Sequence, residues 1–317
     1  MSDRPAWRVC HICPLGAAPN VIHFHNFTYG ALNPALAYLV SCVGCFVGLR
    51  CTTRARASAG AGRARWLAMA ALAIGATGIW TMHFIAMLGF TIPGQQIRYN
   101  VPITILSMLI AVLVVGIGIF IVGFSRPGAW PPLLAGGAII GVGVASMHYL
   151  GMAAIRVPDS LDYNPVLVAA SVVIAVIAGT AALWAALRLD SLWSAIVASL
   201  IMGVAVSSMH YTGMAALSVR AAPGLTVNDA WAASAEGLLI PLILGLSCAA
   251  FIFSTVLALS PTAAEMVEEA ELMARMARGP QHQPYRRAAG QAWPVDGNDP
   301  EGQAQQGSLF RPNRPGT

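Results

Sequence analysis

VASMHYLGMAAI, residues 144 to 155, and VSSMHYTGMAAL, residues 206 to 217, are nearly the same string, and WTMHFIAMLGF, residues 80 to 90, is a looser third copy. Each sets a histidine beside a methionine inside an apolar run, where an ionisable side chain is costly and marks a functional site by default. The three histidines, His83, His148 and His210, lie 65 and 62 residues apart. That regularity is the mark of an internal repeat.

Each motif closes an apolar stretch long enough to span a bilayer, which takes roughly 20 residues at 1.5 Å each. Seven such stretches run along the chain, at 31–49, 66–90, 101–124, 133–155, 165–187, 192–217 and 238–259, and the motifs fall on the second, fourth and sixth. Composition agrees, with 57% hydrophobic and only 10% charged residues, against about 25% charged in a soluble domain. The expected fold is an all-α membrane protein of seven transmembrane helices: three parallel two-helix repeats around an axis along the membrane normal, plus one extra helix.

The repeat extends to its openings. Tyr29 to Asn33-Pro34 begins the first unit, Tyr99-Asn100 with Pro102 the second and Tyr163-Asn164-Pro165 the third, and the Asn to His separations are 50, 48 and 46 residues. An Asn side chain accepts from free helix N–H groups and Pro at the first turn loses nothing by lacking its own, so these are read as helix caps. Gly75, Gly78, Gly141, Gly143 and Gly203 on the motif-bearing helices are expected to allow close approach around the axis. Each histidine lies seven residues before the end of its apolar run, hence about 10 Å beneath the membrane boundary.

Cations set the orientation. Arg50, Arg54, Arg56, Arg63 and Arg65 crowd the loop between the first two stretches, and Arg98 alone follows the second. The first loop is therefore expected in the cytoplasm, the N-terminus outside and the C-terminus inside a bacterial plasma membrane. The expected division is an extracytoplasmic segment at 1–30, the membrane domain at 31–259, a short cytoplasmic helix at 260–278 and a disordered cytoplasmic tail at 279–317. No removable signal peptide is expected. The basic pI near 9.1 follows from this topology, and no nucleic-acid partner is inferred from it. Lipid is the expected surrounding. Cys10 and Cys13 with His11, His23 and His25 lie in the outer N-terminal segment, expected as a disordered terminus with a loose metal-capturing arm as the alternative, and Cys42 and Cys45 share a face of the first helix as small buried residues.

A methionine follows each histidine by four, pairing His83 with Met87, His148 with Met152 and His210 with Met214 on a common helix face. Met82, Met147 and Met209 directly precede the histidines and point about 100° away around the helix. Imidazole and thioether without carboxylate is a soft donor set that suits copper, whereas calcium and magnesium want oxygen and zinc favours thiolate or carboxylate beside histidine. The seven apolar stretches contain no Asp or Glu, which argues against an ion pump built on acidic relays.

The Met-His-Tyr triplets on alternate spans, with the Gly-Met that follows, resemble the MHYT domain of bacterial membrane sensors. MHYLGM at 147 to 152 and MHYTGM at 209 to 214 match closely, while MHFIAM at 82 to 87 carries Phe for Tyr and Ala for Gly; the resemblance covers about residues 23 to 259. It implies an inner-membrane sensory module, with the motifs near the outer face coordinating copper and through it sensing O2, CO or NO or redox state. In relatives such a module precedes a cytoplasmic cyclase, phosphodiesterase or kinase. Here TAAEMVEEAELMARMAR, residues 262 to 278, resembles the start of a signalling linker, no output enzyme is expected in the chain, and a separate output protein is the expected partner. Two other functions fit the same residues: a membrane copper-handling or haem or copper electron-transfer protein, and a scaffold in which the motifs only pack.

Overall fold

The computed structural model describes residues 21–22, 24–126, 128–188, 191–220, 231–259 and 263–277. Cys10, His11, Cys13 and His23 of the N-terminal arm, the helix start at Thr262 and the tail at 279–317 lie outside the described residues. The chain divides into two units, Met1–Ala263 and Ala264–Thr317.

In the first unit, seven helical stretches among the described residues are long and apolar enough to cross a membrane. They are α1 (Leu32–Arg56), a composite span Gly60–Met87, α4 (Val101–Gly123), α5 (Trp130–Ala153), α6 (Pro165–Arg188), α7 (Leu192–Ala215) and α8 (Ala235–Leu259). The composite span joins α2 (Gly60–Leu72), a π-helical segment Ala73–Thr81 and α3 (Met82–Met87). The first six spans pack each against the next, and α7 returns against α1 to close a ring. Within every hairpin the motif-bearing helix is the inner one. Its most apolar window is 78% buried against 50% for its partner in the first repeat, 56% against 33% in the second, and 39% against 22% in the third. Helix α8 stands outside the ring against α1 and the π-helical segment, with only 6% of its window buried.

Lipid is as apolar as leucine, so helices in a bilayer associate by close packing rather than by the hydrophobic effect. The glycines of the inner helices supply that packing, although not toward the axis as expected. A Cβ on Gly78 would stand 3.3 Å from the Cys45 backbone of α1, and one on Gly143 would stand 2.5 Å from Val114 of α4. These two glycines seat the first two inner helices on their own outer partners. Gly75 meets the Val112 backbone of α4, Gly141 the Val176 backbone of α6, and Gly203 the Cys42 and Tyr38 side chains of α1, so the second contact of each inner helix is with the next repeat. The inner helices are wedged between outer ones, and they meet one another mainly near the motifs.

The π-helical segment has a specific cause. Val112 and Val176 are equivalent, each twelve residues after Asn100 or Asn164, and they receive Gly75 and Gly141. Gly75 precedes its histidine by eight residues and Gly141 by seven. The first repeat thus carries one extra residue between wedge and histidine, and the wider i→i+5 winding absorbs it. The Thr81 hydroxyl donates to the Ala76 carbonyl at 2.9 Å within that segment.

At the motif end, short strands clasp each repeat. Strand β2 (Arg98–Asn100) pairs with β3 (Ile155–Arg156), joining Tyr99 to Ile155, and β4 (Ser160–Tyr163) pairs with β5 (Leu217–Arg220), joining Tyr163 to Leu217. The first repeat has the same clasp as a single bridge, His25 to Thr91. β1 (Val21–Ile22) and β6 (Ala232–Ser234) extend these pairs into two three-stranded sheets. The Asn100 side chain accepts from the Ile103 amide at 3.1 Å and that of Asn164 from the Val166 amide at 2.9 Å, so both cap their helices. Asn33 does not. Helix α1 already begins at Leu32, and the buried Asn33 amide donates to the Ile85 carbonyl at 3.3 Å, tying α1 to the first motif.

The opposite end of the bundle gathers arginines. Arg56 donates to the Leu187 carbonyl at 2.6 Å and Arg63 to that of Ala55 at 3.3 Å, satisfying the free carbonyls at helix C-termini. In helix α9 (Ala263–Ala277), whose residues from 264 onward belong to the second unit, Arg275 and Glu271 stand 3.9 Å apart one turn from each other.

The wedge packing predicts that Gly141→Ala costs about 1–3 kcal/mol through a forced shift of the α5–α6 backbones. Gly116→Ala, whose new Cβ would make an ordinary 3.5 Å contact with Ala71, should be neutral or gain up to about 1 kcal/mol of helix propensity. Thermal melts followed by size exclusion in detergent check this; equal melting of the two variants would show that the close approach is not required.

Candidate metal centre

His83 opens α3 directly after the π-helical segment, and His148 and His210 stand near the ends of α5 and α7. All three are at most 1% exposed. Their Nδ1 atoms form a triangle with edges of 3.0 Å (His83 to His210), 3.2 Å (His83 to His148) and 3.3 Å (His148 to His210). The ring centroids lie 4.9 to 5.1 Å apart with planes 79 to 87° from one another. The nitrogens are therefore the innermost atoms of the three rings. These atoms form the one group of three or more His, Cys, Asp or Glu, among the described residues, close enough to share an ion.

The triangle fits a cation better than it fits empty packing. A neutral imidazole has one N–H donor and one acceptor nitrogen. Three Nδ1 atoms aimed at one point cannot all satisfy one another; the Nε2 atoms of His83 and His148 are also buried with no hydrogen-bond partner, and an ion at Nδ1 would not answer them. Each unanswered buried nitrogen costs about 1–3 kcal/mol. With the protons on Nε2, three lone pairs converge. The point equidistant from three nitrogens so spaced lies about 1.8 Å from each, near the roughly 2.0–2.1 Å of a metal–imidazole bond, so His83, His148 and His210 could hold one ion between them.

The rest of each motif holds its ring. A Cβ on Gly151 would sit 2.5 Å from His83 Nε2, and one on Gly213 would collide with His148 Nε2. The glycine of each later motif is thus the floor for the histidine of the motif before it, and Ala86 stands at the corresponding position of the first motif. The residue after each histidine packs edge-on against it, with centroids 4.7 Å apart for Phe84 and 4.9 Å for Tyr149 and Tyr211. Each of these aromatics in turn meets a ring from the start of the next repeat: Phe84 with Tyr99, Tyr149 with Tyr163, and Tyr211 with Phe27. Phe27, not the exposed Tyr29 of the expected alignment, closes the cycle. Burial pushes the Tyr163 phenol up to about 12 and raises that of Tyr99 as well, so both stay protonated at neutral pH.

The Tyr149 hydroxyl is not directed at the imidazoles as a free donor. Tyr149 shares a hydrogen bond of 2.8 Å with Ser171 of α6. The equivalent serine of α4, Ser107, receives Trp80 Nε1 at 3.0 Å, because Phe84 has no hydroxyl to offer. Ser107 and Ser171 each lie seven residues after the asparagine of their repeat, a signal open to inspection but overlooked in the sequence. The Tyr211 hydroxyl is buried without a partner. All six motif methionines, Met82, Met87, Met147, Met152, Met209 and Met214, are buried. Met87 also lines a groove of about 940 Å³ at the strand end, between Asn33, Tyr99 and Glu236. Cys42 and Cys45 are free and buried apart from the triangle.

The family model described as the bacterial signalling protein N-terminal repeat, MHYT, matches residues 77–136 and 141–199. The chain is 36% identical over 216 residues to the bifunctional diguanylate cyclase/cyclic di-GMP phosphodiesterase MucR of Pseudomonas aeruginosa, covering 65% of this chain and 31% of that protein. It is 38% identical over 231 residues to the cyclic di-GMP phosphodiesterase NbdA of the same organism, covering 71% and 29%. Similarity to the signaling protein YkoW of Bacillus subtilis is 31% over 200 residues, covering 60% and 24%. The chain thus spans about a third or less of the length of these relatives. No solved structure matches.

The hydroxyl pattern predicts unequal effects of one substitution. Tyr149→Phe should cost about 1 kcal/mol by orphaning part of the Ser171 bond, whereas Tyr211→Phe should leave stability unchanged or raise it. Chemical or thermal unfolding of the two variants side by side decides the matter; a larger loss for Tyr211→Phe would mean that its hydroxyl has a partner.

Proposed function

The chain is a member of the MHYT family of bacterial membrane signalling proteins, and from that premise we propose that it senses through a copper ion held by His83, His148 and His210. The observation that carries this reading is the convergence of three buried Nδ1 atoms within 3.3 Å of one another. Copper follows from the company the triangle keeps. No acid lies in the seven apolar stretches, and two buried methionines accompany each histidine, a soft donor set. Met87, Met152 and Met214 share their histidines' helix faces and are the first candidates; Met82, Met147 and Met209, about 100° away around the helix, are the second.

When bound, copper supplies a soft centre that takes a diatomic gas, O2, CO or NO, or changes redox state. The chain's own residues orient the imidazoles, exclude bulk water and report the spacing. Because each imidazole belongs to a separate inner helix wedged between outer ones, a change in their spacing moves helices. The π-helical segment leading into His83 packs on α8 across a cavity of about 130 Å³ lined by Ala73, Thr77, Leu246 and Phe253. Loose packing there lets the seventh span follow the first motif. With the arginine end in the cytoplasm and the strand end outside, α8 delivers the signal inward to an output partner. The activities for which the two Pseudomonas relatives are named point to cyclic di-GMP turnover as the class of that output.

Copper retention after purification under reducing conditions tests the centre. The expected result is a stoichiometric copper content without a Soret band, falling at least tenfold in His148→Ala and His210→Ala. Met152→Leu and Met214→Leu should lose less, and Met147→Leu and Met209→Leu least. Retention of haem, or of no metal by the wild-type protein, refutes the copper sensor. The orientation has its own check: a cysteine introduced at Ser160 should react with a membrane-impermeant probe from outside the cell, and labelling from the cytoplasmic side alone would reverse it.

A further inference from the structure

Ile79, Val144 and Val206 each precede the histidine of their repeat by four residues. On a helix that places them on the histidine's own face, one turn of about 5.4 Å toward the arginine end. All three line a single cavity of about 50 Å³, shared with Met209 and with Ala178 of α6. A cavity walled by equivalent residues of all three repeats lies on their common axis. It therefore sits directly beneath the imidazole triangle, inside the ring of helices.

From this placement we infer that the bundle carries a dry axial chamber that binds one small apolar molecule of diatomic or xenon size next to the histidines. Every side chain lining it is aliphatic, thioether or thiol. A buried water needs two to four polar partners, and a cavity without them stays dry and takes apolar guests. Its volume exceeds the roughly 10–15 Å³ that a water-sized probe requires and falls well below the roughly 150 Å³ of a cavity that accepts benzene. Small apolar solutes leave water for such a space and for the bilayer around it. As the antechamber of a gas sensor this chamber rests on the function proposed above; as a binding site it stands on the cavity alone.

Methyl-labelled protein in nanodiscs under stepped xenon pressure tests it, with copper content measured on the same sample. The methyl signals of Ile79, Val144 and Val206 should shift saturably, while those of Ile177 and Ile201, which face outward at 64% and 63% exposure, should change only linearly. Ala178→Leu should abolish the saturable shift by filling the space, leaving copper content unchanged. No saturable shift in the wild-type protein overturns the chamber, whatever the copper content. So does a shift that survives Ala178→Leu, or lipid acyl contacts to Ile79 and Val206 that show the space already filled by a chain. Saturable xenon binding in protein that holds no copper upholds the chamber and refutes the sensor reading; copper without xenon binding does the reverse.

Discussion

Three neutral imidazoles meeting at one point inside an apolar bundle need something to answer their nitrogens, and the rest of the molecule is arranged around that need. The rings come from three different helices, so those helices must be the inner ones, and each must reach the axis at the same depth. Glycine wedges hold the first two inner helices against two outer neighbours each and α7 against α1, strand clasps fix where each repeat begins and ends, and glycines at 151 and 213 leave room for the rings of His83 and His148. With no carboxylate in the seven apolar stretches, no anionic oxygen there adds a hard ligand to the converging nitrogens.

The three repeats reach this common geometry by different means. Where the first motif has Phe84 instead of tyrosine, Trp80 takes over the hydrogen bond to the serine of the next outer helix. Where one residue too many separates Gly75 from His83, the helix widens into a π segment. Phe27 serves for the missing tyrosine of the third aromatic pair, and Asn33 joins two helices instead of capping one. In each case a spatial position is filled while the residue filling it changes. These departures concentrate in the first repeat and at its junction with the third, which is also where α8 attaches.

The attachment matters for signalling. The π-helical segment is the one irregular stretch among the described inner helices, it runs into His83, and it faces α8. A helix with an i→i+5 stretch can return to regular winding by moving one residue of slack. The imidazole triangle and the peripheral seventh span are thus joined by the one irregular element among the described inner helices.

Periodicity and repetition in the chain already contained the number of spans, the pairing of helices into three units and the alignment of three histidines, because apolar length and recurring spacing are local properties of sequence. The cluster of arginines between the first two stretches likewise marked one end of the bundle. Which way each side chain turns was beyond that reach. Gly75 and Gly141 look like axis-facing residues until the helices are in place and prove to face outer partners. Asn33 looks like its counterparts at 100 and 164 but acts otherwise, since helix α1 starts one residue earlier. The π segment became legible only once Val112 and Val176 could be seen to be equivalent. The triangle itself needed the ring to close, α7 against α1, because nitrogens 62 and 65 residues apart in sequence come within 3.3 Å only when helix packing brings three separate faces to one axis.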